Sequence, residues 1–210
     1  MRTCRAVVLT VAVTTLATAC HSSTTAGGAG GSPPAGTSGS QSAGTSGSAS
    51  PPGPVGQGPG TCRTASLRIT LDTRQADGAA GSTYYPIDFT NTAAAACVLA
   101  GYPGVSFVTA ADATGRQIGA AAQRNPQFGS VTVRLEPEGH AHAWLQVAQA
   151  SNYPSSACSP VAARGLRVFP PDETQPGYIQ QDFPACALAS AQVLTIMPVR
   201  SGEGTRGTAP

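Results

Sequence analysis

The chain has 210 residues, which suits one medium-sized domain with extensions. Its 12 basic residues, all of them arginine, nearly balance 10 acidic residues, so we exclude a nucleic-acid-binding protein that depends on net positive charge. No apolar run is long enough for a membrane-spanning helix, which excludes a multi-span membrane protein. All aromatic residues lie between Tyr84 and Phe183, and this distribution indicates where the folded core lies.

The first 19 residues have the pattern of an export signal. Arg2 and Arg5 give a positively charged start, and an uncharged, largely apolar run follows over Ala6–Ala19. This run is shorter than a membrane-spanning helix and has the length of the apolar region of a signal peptide. We therefore predict a signal peptide over residues 1–19.

Cys20 ends the segment LATAC, which admits two interpretations. The segment resembles the bacterial lipobox, in which the cysteine thiol receives a diacylglyceryl group and becomes the mature N-terminus, although Ala17 stands where leucine is usual. Alternatively, Ala17-Thr18-Ala19 is an ordinary cleavage site and the product is secreted. We favour lipidation of Cys20, because a tether follows it and two acyl chains suffice for durable attachment to a membrane.

Residues 21–60 have the composition of a tether. They contain no arginine, no acidic residue and no Phe, Tyr or Trp, and they nearly repeat one octapeptide, AGTSGSQS at Ala35–Ser42 and AGTSGSAS at Ala43–Ser50. Such a segment buries too little apolar surface to offset the entropy lost on ordering. We therefore predict that residues 20–60 are a lipidated cysteine with a disordered spacer, that residues 61–200 form the domain, and that residues 201–210 are a second disordered tail.

Apolar and polar residues alternate along most of the predicted domain. The alternation is clear in SLRITLD, YYPIDFT, SVTVRLE and HAHAWLQV, and glycine and proline punctuate the intervening segments. Period-two alternation between turn residues is typical of β-strands, and no segment shows a sustained helical period. We therefore predict an all-β fold, an immunoglobulin-like antiparallel β-sandwich of about seven to nine strands.

The predicted domain contains four cysteines, Cys62, Cys97, Cys158 and Cys186. An even number in an exported domain indicates two disulfides, for which three connectivities exist. We favour the pairing of neighbours in the sequence, Cys62–Cys97 and Cys158–Cys186. A zinc site is the alternative, but no C-x-x-C spacing supports it.

The segment Cys97-Val-Leu-Ala-Gly-Tyr-Pro-Gly-Val105 is the most distinctive motif of the domain. Together with Cys62 at its start and LRVFPP at Leu166–Pro171, it resembles an actinobacterial domain family of unknown function, DUF4232, over about Cys62 to Val199. The resemblance implies an exported protein or lipoprotein with a β-sandwich-like fold, and it implies no activity. Within the motif, Pro103-Gly104 predicts a type II turn with Gly104 in the left-handed position.

His140, His142 and Trp144 are the candidate binding residues. They share one face of a predicted strand, whose other face carries Ala141 and Leu145. An H-x-H pair could hold zinc or copper if a third ligand came from a neighbour. Because only one face of such a strand is buried in a sandwich, we predict that these three side chains face solvent. Trp144 would then either be covered by a loop or contact a sugar or a protein.

No pattern in the domain indicates an enzyme. There is no G-x-S-x-G elbow and no Walker or Rossmann glycine pattern, and the aspartates Asp72, Asp88, Asp112 and Asp182 are scattered along the chain. We expect a membrane-anchored extracytoplasmic lipoprotein that acts as a binding module of the cell envelope, with a cell-wall glycan or an envelope protein as partner. We expect no cofactor, no metal and no nucleic acid. The alternatives are a structural envelope protein without a ligand and, with less support, a secreted enzyme.

Overall fold

The computed structural model describes residues 58–210 and confirms the all-β prediction. These residues form more strands than we expected, because short pairings of two or three residues extend the main sheets. The strands are β1 Leu67–Leu71, β2 Asp77–Ala79, β3 Ser82–Asn91, β4 Cys97–Ala100, β5 Gly104–Val108, β6 Gln117–Ile118, β7 Gln123–Arg124, β8 Thr132–Leu135, β9 His140–Ala148, β10 Pro160–Phe169, β11 Gly177–Cys186, β12 Leu194–Ile196 and β13 Arg200–Ser201. Residues 58–210 contain one α-helix, α1 at Ser155–Cys158, and no helix among them is long and apolar enough to cross a membrane.

The strands form two main sheets. The large sheet has the order β1-β3-β9-β12-β7, with β2 added to β3 and β13 added to β9. The smaller sheet has the order β11-β10-β5-β6, and β4 pairs with β8 in a separate ribbon. Every pairing between these strands is antiparallel except that of β12 with β7.

The core contains the inward side chains of both sheets. In the large sheet, small residues of β9 lie directly opposite large residues of β3: Ala141 pairs with Phe89 and Ala143 with Ile87. All four are fully buried. Such an alternation of sizes lets two neighbouring strands fill the space between the sheets without voids. Phe183 of the smaller sheet completes the packing, with its ring 5.3 Å from that of Phe107.

Both predicted disulfides are present. Cys62 bonds to Cys97 and Cys158 bonds to Cys186, across 35 and 28 residues of sequence. The first bond ties the start of the domain to β4, and the second ties α1 to the end of β11. Two disulfides are typical of domains that fold in an oxidising compartment outside the cytoplasm.

The turn in the distinctive motif differs from the expected one. Gly101 takes the left-handed conformation, with φ of +93°, whereas Gly104 is the first residue of β5. The chain therefore reverses directly after β4, and a residue without a Cβ penalty is needed there rather than after Pro103.

The N-terminal predictions and the C-terminal prediction have different outcomes. The signal peptide, Cys20 and the tether up to residue 57 lie outside the described residues. Residues 201–210, in contrast, are not a disordered tail, because Ser201 belongs to β13 and the following residues lie across the large sheet. Their backbone N–H groups donate hydrogen bonds to acceptors on that sheet. The amino-acid composition of the segment does not reveal these contacts.

Candidate functional site

The outer face of the large sheet, which points away from the core, brings the candidate residues into neighbouring rows. Cross-strand pairing puts the residues of each row side by side. The first row is Arg68, Thr90 and His140; the second is Thr70, Asp88, His142 and Arg200; the third is Pro86 and Trp144. We call this surface the outer face.

The predicted orientation of the Trp144 strand is right, but the predicted exposure of Trp144 is wrong. Ala141 and Leu145 lie in the core, and Trp144 lies on the opposite face. Its side chain is nevertheless only 4% exposed. Other parts of the chain cover the outer face here. A large apolar side chain on an otherwise polar face favours such cover.

The two histidines differ in accessibility. His142, predicted to face solvent, is 9% exposed, and its Nδ1 lies 2.9 Å from the Gly202 carbonyl oxygen. Because a carbonyl only accepts, Nδ1 of His142 carries the hydrogen of this bond. His140 keeps 38% of its side chain exposed, with Nδ1 3.2 Å from Thr90 Oγ1 and 3.6 Å from a carboxylate oxygen of Glu203. Of the three candidate residues, only His140 is therefore accessible.

Residues 202–210, which we call the strap, cover the outer face. The Gly202 N–H donates to the His140 carbonyl oxygen, and the Gly204 N–H donates to Asp88 Oδ1 at 3.0 Å. Further along, the Gly207 N–H donates to Asp77 Oδ2 at 2.6 Å. A Cβ at Gly204 would collide with the Pro86 side chain, so only glycine allows this close approach.

Beside the strap, a polar groove of about 550 Å³ opens on the outer face. We call it the outer groove. Its charged and imidazole side chains are those of Arg68, Asp72, Arg74, Asp88, His140 and Glu203. Threonine hydroxyls and the Gln75 amide also line it, so the groove presents both hydrogen-bond donors and acceptors.

The two aspartates of the outer groove have different environments. Burial raises the pKa of Asp88, and the hydrogen bond from the Gly204 N–H opposes that shift. The guanidinium and the backbone N–H of Arg74 donate hydrogen bonds that lower the pKa of Asp72. Asp88 is thus a half-buried carboxylate with an unfavourable charge, a combination that is common where a protein binds a ligand.

Arg68 differs from Arg74, the other arginine of the outer groove, in its pairing. Its side chain lies on the exposed surface of β1, and within residues 58–210 it forms no salt bridge. Arg74, in contrast, is paired with Asp72. Arg68 is therefore free to donate several hydrogen bonds to a bound molecule.

A metal site at the H-x-H pair has no support from this geometry. The described part of the chain holds no group of three or more His, Cys, Asp and Glu side chains placed to bind a metal ion. His142 is buried with its Nδ1 engaged by the strap. The pair therefore lacks the third ligand that zinc or copper would need.

A family model described as "Domain of unknown function (DUF4232)" matches residues 62–200, more than half of the chain. The chain belongs to this family. No curated protein matches the sequence. The match ends at Arg200, so the DUF4232 domain supplies β1, β3 and β9 of the outer face, whereas the strap lies beyond the matched residues.

Two tyrosines, Tyr102 and Tyr153, have separate structural roles in this DUF4232 domain. Tyr102 donates its hydroxyl to the carbonyl oxygens of Asn125 and Phe128, and Phe128 is a neighbour of Trp144. Tyr153 donates to the carbonyl oxygen of Gln192, away from the outer face. Tyr102 thus supports the loop beside Trp144 without lining the outer groove.

Sequence reasoning missed most of the outer groove. The alternation in β1 and β3 puts Arg68 and Thr70, and Asp88 and Thr90, on the polar parity of their strands. That signal was present, but it does not reveal which strands are neighbours. Asp72 and Asp88, which look scattered in the sequence, both line the groove because β1 and β3 pair antiparallel.

Proposed function

We propose that this protein is a lipid-anchored module outside the cytoplasm that binds a neutral glycan of the cell wall in the outer groove. The two disulfides support the location, because such bonds persist in oxidising compartments. The export signal and Cys20 support the anchor. The low-complexity segment after Cys20 would then hold the domain away from the membrane.

The proposal of a neutral glycan as ligand rests on the balance of positive charge, negative charge and hydrogen-bonding groups in the outer groove. Carboxylates of Asp72 and Asp88 stand among the guanidiniums of Arg68 and Arg74. An anionic ligand would meet the carboxylates, and a cationic ligand would meet the arginines. A sugar hydroxyl both donates and accepts, so a neutral glycan satisfies both sets of groups.

Burial makes this groove more than a solvated surface. Asp88 already gives one oxygen to the Gly204 N–H, and its partly desolvated charge would gain from a further donor. His140 stands at the same wall, half exposed. Sites for small molecules typically combine such a concave surface with a few well-placed polar groups.

Co-sedimentation with isolated cell-wall glycan tests this proposal. The protein to use is the mature chain with Cys20→Ala, which cannot be acylated and keeps the tether. The groove variant is Arg68→Ala, because Arg68 is exposed and unpaired and its loss leaves the fold intact. The matched control is Arg164→Ala, since Arg164 is an exposed arginine of the smaller sheet in a salt bridge with Asp182.

We expect the parent chain and the Arg164→Ala control to sediment with the glycan, and Arg68→Ala to bind at least about tenfold more weakly, the loss of one to two charge-assisted hydrogen bonds. Equal binding by all three chains would place the site elsewhere. Absence of sedimentation with glycan, together with Arg68-dependent capture of a defined envelope protein, would replace the glycan by a protein partner. No binding at all would favour a structural protein.

A further inference from the structure

The strap is held to the outer face mainly by polar contacts. Its backbone meets Asp88, Asp77, His142 and the His140 carbonyl oxygen, and the Arg206 side chain meets Asp77 and the Ala76 carbonyl oxygen. Most of its side chains are exposed, and Gly204 is its buried residue. A segment that buries so little apolar surface belongs to the least stable part of a fold and opens most readily.

The side chain beneath the strap is incompletely satisfied. Trp144 is 4% exposed, and its indole Nε1 has no hydrogen-bond partner among residues 58–210. Leaving a buried donor without a partner is unfavourable. The covered state therefore carries a penalty at Trp144 that a hydrogen-bond acceptor would remove.

A small pocket marks the place where the strap meets Trp144. It has a volume of about 220 Å³, and Phe128, Met197 and Pro198 of the domain line it together with Trp144. His142 and Arg200 also line it, and Thr208 and Pro210 of the strap form part of its wall. Removing the strap would open this pocket and join it to the outer groove, because His142 and Asp88 lie in the row between them.

The uncovered surface would have the chemistry of a sugar-binding site. The apolar face of a sugar ring packs on an indole, and its hydroxyls reach the polar groups beside that indole. His142 stands next to Trp144, with the two rings edge to face at 6.1 Å, and Asp88 pairs with His142 across the sheet. Lifting the strap frees the two groups that it now occupies, the Asp88 carboxylate and His142 Nδ1.

We propose that Trp144, His142 and Asp88 form a second, covered half of the glycan site, and that the strap is a displaceable cover whose removal extends the outer groove. This inference rests on the proposed glycan-binding function. It assigns the strap an autoinhibitory role, because a ligand must displace it to reach Trp144. The family match, which ends at Arg200, fits a cover added to the DUF4232 domain.

Trp144 is the only tryptophan of the chain, so its fluorescence reports on the strap without any ligand. Gly204→Val introduces a side chain that collides with Pro86 and forces the strap away. Gly60→Val is the matched control, because Gly60 is exposed and a Cβ there meets no neighbouring atom. A chain that ends at Ser201 removes the strap altogether, and circular dichroism verifies that each variant keeps its β-sheet content.

We expect Gly204→Val and the strapless chain to shift the Trp144 emission to the red and to increase its quenching by acrylamide. Gly60→Val should match the parent. If the open state is populated at about 10% or less in the parent, the open variants should bind cell-wall glycan about tenfold more tightly. Increased quenching with tighter binding supports the inference.

Two other results distinguish failure of the covered half-site from failure of the proposed glycan binding as a whole. If the parent binds glycan and the open variants do not bind it more tightly, the covered half-site is wrong and the outer groove remains the binding site. If Trp144 becomes quenchable but no chain binds glycan, the proposed function itself fails and the covered half-site fails with it. If Trp144 stays protected in the strapless chain, the strap is not its cover and the inference is overturned.

Discussion

At the scale of single residues, Trp144 shows how a strand can be oriented as its sequence indicates and still hide its polar face. Period-two geometry separates Trp144 from Ala143 and Leu145, and the structure keeps that separation. Burial of Trp144 then depends on Phe128, Met197 and the strap, which lie far from it in the sequence. No pattern local to β9 contains that information.

The burial of Trp144 predicts a large effect on stability. Trp144→Ala should lower the free energy of unfolding by about 3 kcal/mol, because it leaves a cavity under the strap. Trp144→Phe should cost clearly less, since it fills much of the space and removes the unpaired indole N–H. Urea denaturation measures both values. A loss below about 1 kcal/mol for Trp144→Ala would mean that the side chain is exposed in solution.

Asp88 and Asp112 predict opposite dependences of stability on pH. Burial raises the pKa of Asp88 above 3.8, so this group favours the folded state more as pH falls through the interval between 3.8 and its folded pKa. Hydrogen bonds from Thr114 lower the pKa of Asp112 below 3.8, so its stabilisation is present above that value and is lost as pH falls toward its folded pKa.

Urea unfolding at pH 7 and at about pH 3 tests these signs with Asp88→Asn and Asp112→Asn. The parent should gain stability relative to Asp88→Asn on acidification, because only the parent has a carboxyl whose protonation favours folding. It should lose stability relative to Asp112→Asn. The same sign of change for both variants would contradict the assigned environments. His142, Glu203 and Asp72 are the ionisable neighbours that also influence the pKa of Asp88.

At the scale of elements, the sequence predicts strands better than it predicts their neighbours. Alternation in β1, β3 and β9 identifies an apolar and a polar face for each strand. The outer groove exists because these three strands pair in the order β1-β3-β9, which brings Arg68, Thr90 and His140 together. This order follows from packing of the whole sandwich and is not encoded in any one segment.

The strap is the element for which the amino-acid composition gave a wrong prediction, that of a disordered tail. Its sequence, GEGTRGTAP, has the glycine and threonine content of a disordered tail. The Gly204 contact with Asp88 spans 116 residues of sequence, so only the folded sheet creates the acceptor. Glycine, a sign of disorder in the composition, is here the residue that permits close contact with Pro86.

Removal of either disulfide should lower the stability of the fold by a similar amount. Replacing Cys62 and Cys97 by alanine, or Cys158 and Cys186 by alanine, should each lower the free energy of unfolding by about 3–4 kcal/mol, because loops of 35 and 28 residues become free in the unfolded chain. Denaturation of the two double variants, with and without reductant, measures the loss. A variant whose stability equals that of the oxidised parent would show that its bond contributes little to folding.

At the scale of the whole molecule, the disulfides and the N-terminal sequence point to the same compartment. The bonded cysteines need oxidising conditions, and the export signal predicted from the sequence would carry the chain to them. Cys20 and the tether lie outside the described residues, so their role comes from sequence alone. A binding domain on a spacer is most useful when the other end of the spacer is fixed.

Anchoring through Cys20 predicts how the protein partitions in cells. The parent should remain with the membrane fraction, and Cys20→Ala should appear in the medium or in the soluble extracytoplasmic fraction, because two acyl chains provide the attachment. Cell fractionation and the mass of the mature N-terminus give the result. A parent chain that is released without acyl groups would instead indicate ordinary secretion.

The most direct test of the central claim is to locate glycan binding on the domain by nuclear magnetic resonance. Soluble cell-wall glycan fragments would be titrated into the ¹⁵N-labelled mature chain with Cys20→Ala, and amide shifts followed residue by residue. The account predicts shifts on β1, β3 and β9 around Arg68, Asp88 and His140, together with the strap. Shifts confined to β10 and β11, or a spectrum that does not change at saturating glycan, would contradict it.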